Sequence, residues 1–302
     1  MSVAPPGLVA TPRAVFSLRR MTLADGQEAG LDCLALSTGG GLDAWLLAGR
    51  GLDIGPLWWR GRQLGWMPPQ GFAHAALRRA EEEGGQGFGR MIGGFLVTCG
   101  LSHIRQPMGG EPLHGRFPYT PARVTRAEET ADGALEVEAE VVEARLGGAV
   151  LVLRRRISAM AHGAALRIRD EVENAGHGPA PHAILYHMNL GWPLLAPGTR
   201  VELDGRDLAG SLQPGAPDAV RGPATCRPAG NGATRVISPE GMAMTLRFQP
   251  VTLPFLQLWY DLRPRVAILS LEPCSTAIGD APPMLGPGER RSYGLDIEFE
   301  GS

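Results

Sequence analysis

The stretch Gly133-Ala-Leu-Glu-Val-Glu-Ala-Glu-Val-Val-Glu-Ala-Arg-Leu146 alternates apolar and acidic residues. Leu135, Val137, Ala139 and Val141 share one parity, and Glu136, Glu138 and Glu140 the other. Successive side chains of a strand point to opposite faces, so a period of two marks a half-buried β-strand. Gly147-Gly148 reads as a turn and 149–160 as the returning strand. Residues 164–173 alternate again through Leu166, Ile168 and Val172, and stop at the turn Asn174-Ala-Gly-His-Gly-Pro179. Further strands are expected at 183–190, 234–238, 242–249, 256–260, 266–271 and 293–299. One short surface helix is expected at 71–83, and 195–232, rich in Gly, Pro and Asp, reads mostly as loop. Many short strands without alternating helices indicate an all-β sandwich or barrel, not an α/β fold. With no polar linker or internal repeat, 1–302 reads as a single domain.

Composition narrows the chemistry. All 29 basic residues of the 302 are arginines. With high Ala, Gly and Pro this reads as a GC-rich bacterial coding bias, so a lone arginine carries less meaning than usual. The absence of lysine excludes a Schiff base, a pyridoxal phosphate anchor and a phosphate-loop lysine. A formal charge of -2 gives no reason to expect a nucleic-acid or membrane partner. Cys33, Cys99, Cys226 and Cys274 are widely spaced with no CxxC pair, which argues against a disulfide scaffold or zinc ribbon. The first twenty residues lack an apolar run of signal-peptide length, and no stretch approaches a membrane span, so a cytoplasmic protein is expected. Oligomeric state is left open.

Glu272 closes the apolar run 266–271 directly before Pro273. A carboxylate there is costly unless it is paired or tuned for acid-base work. The structural alternative is a strand-end carboxylate bonded to an amide or an arginine. His187 sits among Ile184, Leu185, Met188 and Leu190, where a satisfied core histidine is the ordinary expectation. His182, five positions earlier, falls on the opposite face. His114 lies in the turn Pro112-Leu-His-Gly-Arg116, where a loop position favours function.

These segments resemble the aldose 1-epimerase, or galactose mutarotase-like, superfamily. Leu113-His114-Gly115 resembles its Leu-His-Gly, Tyr186-His187-Met188-Asn189-Leu190 its second histidine strand, and Leu271-Glu272-Pro273 its glutamate segment. The order along the chain and the strand end Glu171-Val-Glu-Asn174 agree. Arg50-Gly-Leu-Asp-Ile54 and Pro112-Leu-His-Gly-Arg116 bring the chain closest to a divergent bacterial branch. The resemblance implies a large β-sandwich that binds a free sugar and interconverts its anomers. It implies Glu272 as base, His187 as acid, and His114 supporting the ring oxygen or a neighbouring hydroxyl, with no metal or organic cofactor.

Arg90 resembles the family's sugar-gripping arginine, and Arg116 is a second candidate. His103, Asn189 and Trp259 are further candidates for the sugar pocket, with Trp192 and Tyr260 as alternative stacking residues. The family's aspartate between the second histidine and the glutamate has no clear counterpart: Asp204 and Asp207 lack its context, and Asp261 lies too near Glu272. Two other readings stay open. One is a non-catalytic carbohydrate-binding protein on the same fold. The other is a metal-dependent sugar isomerase or lyase using His103, His114, His187 and Glu272, although the His-x-His spacing common in β-barrel metal sites is missing.

Overall fold

The computed structural model describes residues 9–130, 132–217 and 219–301, and among them strands dominate. The stretch 133–146 forms the strand Ala134–Ala144, with Leu135, Val137, Ala139 and Val141 at most 3% exposed. Glu138 and Glu140 face outward opposite Arg156 and Arg154 of the returning strand Val150–Met160, so opposite charges meet across the ladder.

Two large antiparallel sheets result. In spatial order the first runs Ser17–Thr22, Asp32–Ser37, Leu42–Leu47, Asp53–Trp59, Leu96–Cys99, Leu185–Leu190, Ile268–Cys274, Phe255–Asp261 and Val220–Cys226. Arg62–Gln63 pairs with Asp53–Trp59 off this path. The second runs Arg206–Asp207, Arg200–Leu203, Ala233–Ile237, Ala243–Phe248, Arg290–Glu300, Ala165–Asn174, Val150–Met160, Ala134–Ala144 and Arg123–Glu129. Each sheet has an apolar face, and one core holds Leu46, Leu57, Tyr186 and Leu271 of the first together with Val137, Ile157, Leu166 and Ile297 of the second. Sheet-on-sheet burial makes this a β-sandwich, each fully buried Leu, Ile or Val contributing about 1.5–3 kcal/mol.

The inward parity carries two charged residues. Arg155 stands between Leu153 and Ile157, and directly opposite it Asp170 fills the beat between Ile168 and Val172. The Arg155 guanidinium bonds both Asp170 oxygens at 3.0 and 2.7 Å, Asp53 Oδ1 at 3.0 Å and Thr98 Oγ1 at 2.8 Å. Tyr186 donates to Asp170 Oδ2 at 2.7 Å. Asp53, Thr98 and Tyr186 belong to the first sheet, so these bonds tie the two sheets together across the core.

Some local expectations are corrected. Residues 71–83 do not make one helix: Ala75–Leu77 is a 3₁₀ turn, and the short helix Glu82–Gly85 begins only at the end of the stretch. Glu83 and Gly84 there have positive φ, which breaks a regular helix. The interval 195–232 holds three strands, of which Val220–Cys226 borders the first sheet with an irregular register. The strand at Glu272 runs on through Pro273 to Cys274, so the carboxylate lies within the strand and not at its end. No helix among the described residues is long and apolar enough to cross a membrane.

Candidate active site

Register assembles the site on the outer face of the first sheet. The pairs Leu185↔Cys274 and Met188↔Leu271 put His187 opposite Glu272, and Gln257 is paired to Glu272 on the other side. His187, Glu272 and Gln257 therefore form one row across three neighbouring strands. Two residues along, on the same face, Asn189, Ser270 and Trp259 form a second row. Tyr186 and Met188, of the opposite parity on the same strand, point the other way into the core. The loops carrying Phe88, Arg105 and His114 complete a cavity of about 450 Å³, within the size range of small-molecule sites. His114, His187, Glu272, Gln257, Arg105, Trp66 and Trp259 line it.

His187 Nε2 lies 3.4 Å from Glu272 Oε1, both side chains being almost wholly buried. Asn189 gives its amide hydrogens to the Ile92 and Gly94 carbonyls at 2.6 and 3.3 Å, which turns its oxygen toward His187. That oxygen accepts from His187 Nδ1 at 2.7 Å, with Ser270 Oγ 3.0 Å from the same nitrogen. An acceptor at Nδ1 keeps a proton there, so Nε2, beside Glu272, is the nitrogen that gains or loses one.

His114 sits in a left-handed backbone conformation (φ 61°), as does Arg105 (φ 87°). The two are tied reciprocally: His114 N–H donates to the Arg105 carbonyl at 2.8 Å, and Arg105 N–H to His114 Nδ1 at 3.4 Å. The second bond leaves the neutral imidazole's proton on Nε2. Burial, then the neighbouring His187, Arg105 and His103, push His114 well below the usual histidine range, so it stays uncharged near neutral pH. Phe88 packs edge-on to His114 with ring centroids 4.6 Å apart and lies 5.3 Å from His187, and Trp259 is 6.2 Å from His187.

The expected catalytic residues Glu272, His187 and His114 thus converge on one cavity with Trp259. The other expected residues stand apart from its lining. Arg90 is exposed and ion-paired to Glu83. Arg116 is paired to Glu81 and Glu111 and borders a different surface recess with Glu143 and His177. His103 Nε2 bonds the Gln106 carbonyl at 2.8 Å. Asn189 is fully buried beneath His187, with its amide spent on the backbone and on the imidazole. Among the described residues no group of three or more His, Cys, Asp or Glu side chains is arranged to hold a metal ion.

Sequence reading missed Arg105, Gln257 and Trp66. For Gln257 a signal existed: parity in 255–261 sets Gln257 and Trp259 against Leu256 and Leu258. Arg105, in an irregular loop, offered none. Asp261 is bound by Arg263, and Asp204 and Asp207 bond loop amides, so none of the three lines the cavity.

The two sheets and the site on the outer face of one of them define a galactose mutarotase-like fold. A candidate aldose 1-epimerase from Klebsiella pneumoniae superposes with a TM-score of 0.85 at 20% identity, covering 94% of this chain and 83% of that one. A galactose mutarotase-like protein from Clostridium acetobutylicum gives 0.69 at 12% identity, covering 96% and 100%. Galactose 1-epimerase from Lactobacillus acidophilus gives 0.59 at 12% identity, covering 95% and 99%. At these identities the likeness is one of fold. No curated protein matches the chain. A family model described as a domain of unknown function (DUF4432) matches residues 28–232, and the chain belongs to that family.

Proposed function

We propose that the protein is an aldose 1-epimerase-like enzyme that interconverts the anomers of a free sugar or sugar derivative. The observation that carries this reading is the His187–Glu272 pair, with Nε2 and Oε1 3.4 Å apart in a largely apolar cavity. The ring oxygen and the anomeric hydroxyl are bonded to the same carbon, so an acid and a base serving both must stand this close. Binding alone needs no such pair.

The Glu272 carboxylate takes the proton of the anomeric hydroxyl. The bond between the anomeric carbon and the ring oxygen breaks, and the ring oxygen takes the electron pair and a proton from His187 Nε2. The product is the open-chain aldehyde, facing a protonated Glu272 and a neutral His187. Rotation about the bond to the aldehyde carbon presents its other face. Closure then returns one proton to His187 and takes one from Glu272. Neutral His114 donates from Nε2 to a sugar oxygen, and Trp259 packs against the sugar ring.

The test is anomer exchange by NMR on a panel of free aldoses and sugar acids. Wild type accelerates exchange, and Glu272→Gln loses about 10²–10⁴-fold in kcat while remaining folded. A folded wild-type protein that binds a panel sugar without accelerating its exchange would instead be a binding protein on this fold.

A further inference from the structure

We infer that the sugar accepted by this cavity carries an anionic substituent, and that Arg105 is the group that recognises it. The inference rests on the anomer-exchange reading for its substrate but on separate residues for its content.

Among the described residues, Arg105 is the one arginine lining the cavity, and it forms no ion pair there with a carboxylate. Its guanidinium is nevertheless fixed. Nη2 donates to the Thr276 carbonyl at 2.7 Å and meets Cys274 Sγ at 3.2 Å. With its amide oxygen turned toward Arg105, Gln257 accepts from Nε at 2.9 Å and also from Nη2. Nη1 is shielded from solvent and has no hydrogen-bond partner among the described residues.

Arg155 supplies the contrast within the same molecule. It too is immobilised, but by Asp53 and Asp170, which cancel its charge. The acceptors around Arg105 are a carbonyl, an amide and a thiol, which orient the cation without neutralising it. Glu272, among the described residues the one carboxylate lining the cavity, is engaged by His187. A partly buried cation held rigid by neutral groups is costly unless something supplies the missing charge. A ligand anion in the cavity does so, and a pre-oriented guanidinium binds it without further loss of side-chain entropy. The left-handed backbone at Arg105, kept by its reciprocal bonds to His114, agrees with strain retained at a working position. Arg90 and Arg116, both paired with glutamates, have no such uncompensated charge.

Carboxylate, sulfonate and phosphate share this chemistry. The experiment therefore compares hexuronates, a 6-sulfonated hexose and a 6-phosphorylated hexose with their neutral parents, using full-length protein and NMR exchange. The expected result is a kcat/KM about 10- to 100-fold higher for at least one anionic sugar than for its parent, the best of the three naming the anion. In Arg105→Met that ratio collapses toward one. Arg105→Gln, which keeps a donor for the Thr276 carbonyl, is the second variant should the first misfold.

Exchange on neutral sugars as fast as on anionic ones overturns the inference and leaves the epimerase reading standing. So does an anionic preference that survives in a folded Arg105 variant. If no sugar is turned over, the epimerase reading fails and titration of the same panel decides. Tighter binding of an anionic sugar, lost with Arg105, supports the inference, and equal or absent binding overturns it.

Discussion

At the residue scale, the chemistry available to His187 is set by Asn189. Because both Asn189 amide hydrogens are held by backbone carbonyls, its oxygen has one orientation, and that orientation fixes the imidazole tautomer. Asn189→Leu removes the acceptor while keeping the volume, so His187 can place its proton on either nitrogen. The expected outcome is a fall in kcat of about 10- to 100-fold, part of the 10²–10⁴ that a positioned acid supplies, with KM little changed. Ser270→Ala, which leaves the Asn189 bond intact, should fall less. Steady-state anomer-exchange kinetics on both variants check this, and an equal loss in the two would count against tautomer control by Asn189.

At the scale of elements, the strand Leu185–Leu190 serves both faces of its sheet. His187 and Asn189 face the cavity, while Tyr186 reaches through the core to Asp170 and thence Arg155. The polar tie therefore seats the active-site strand against the second sheet. Arg155→Met leaves Asp170 buried without its cation and Asp53 with only Arg50, 3.9 Å away, and removal of one member of such a network costs about 3–5 kcal/mol. Urea unfolding should show that loss, and adding Asp170→Asn to Arg155→Met should recover part of it. The outer face of the second sheet behaves differently. Its ladder pairs, such as Arg154 with Glu140 and Glu173, are exposed, and each contributes roughly 0–1 kcal/mol. Arg154→Ala should accordingly shift the urea midpoint far less than Arg155→Met.

At the scale of the molecule, a core shared by both sheets predicts one cooperative unfolding transition, with the same midpoint by fluorescence and circular dichroism. Its pH dependence has a named contributor. His182 is fully buried, with Nδ1 on the Leu101 carbonyl and Nε2 accepting from Tyr293 Oη. Burial outweighs the bond to Leu101 and lowers it from 6.5 to about 4, Arg291 adding to the shift and Glu289 opposing it. Between these values the unfolded chain binds the proton that the folded chain refuses. The contribution is thus complete above pH 6.5 and is lost as pH falls toward 4, by up to about 3 kcal/mol. The loss of urea-determined stability from pH 7 to pH 4 should be smaller in His182→Gln than in wild type. An unchanged pH slope in that variant would show that His182 is not a source of it.

Much of the fold could be read along the chain because alternation is a local property. Leu135 to Val141 and Leu166 to Val172 declare which face is buried before any partner strand is known. Asp170 interrupts the second of these patterns, and Arg155 stands at an inward position of the strand Val150–Met160; the two acquire their meaning only when they meet each other and Asp53. The site divides in the same way. Leu-His-Gly, Tyr-His and Leu-Glu-Pro are short motifs legible in order, and His114, His187 and Glu272 from them share one cavity. What the sequence alone determined, then, is the strand parity, the order of the motifs and the absence of any lysine chemistry. What only the tertiary structure decided is the register that lays His187, Glu272 and Gln257 in one row, and the choice of Arg105 over Arg90 and Arg116 as the cation in the cavity wall. The reason is physical: periodicity reports a side chain's face from its neighbours, whereas register and charge pairing are set by strands and loops tens of residues away.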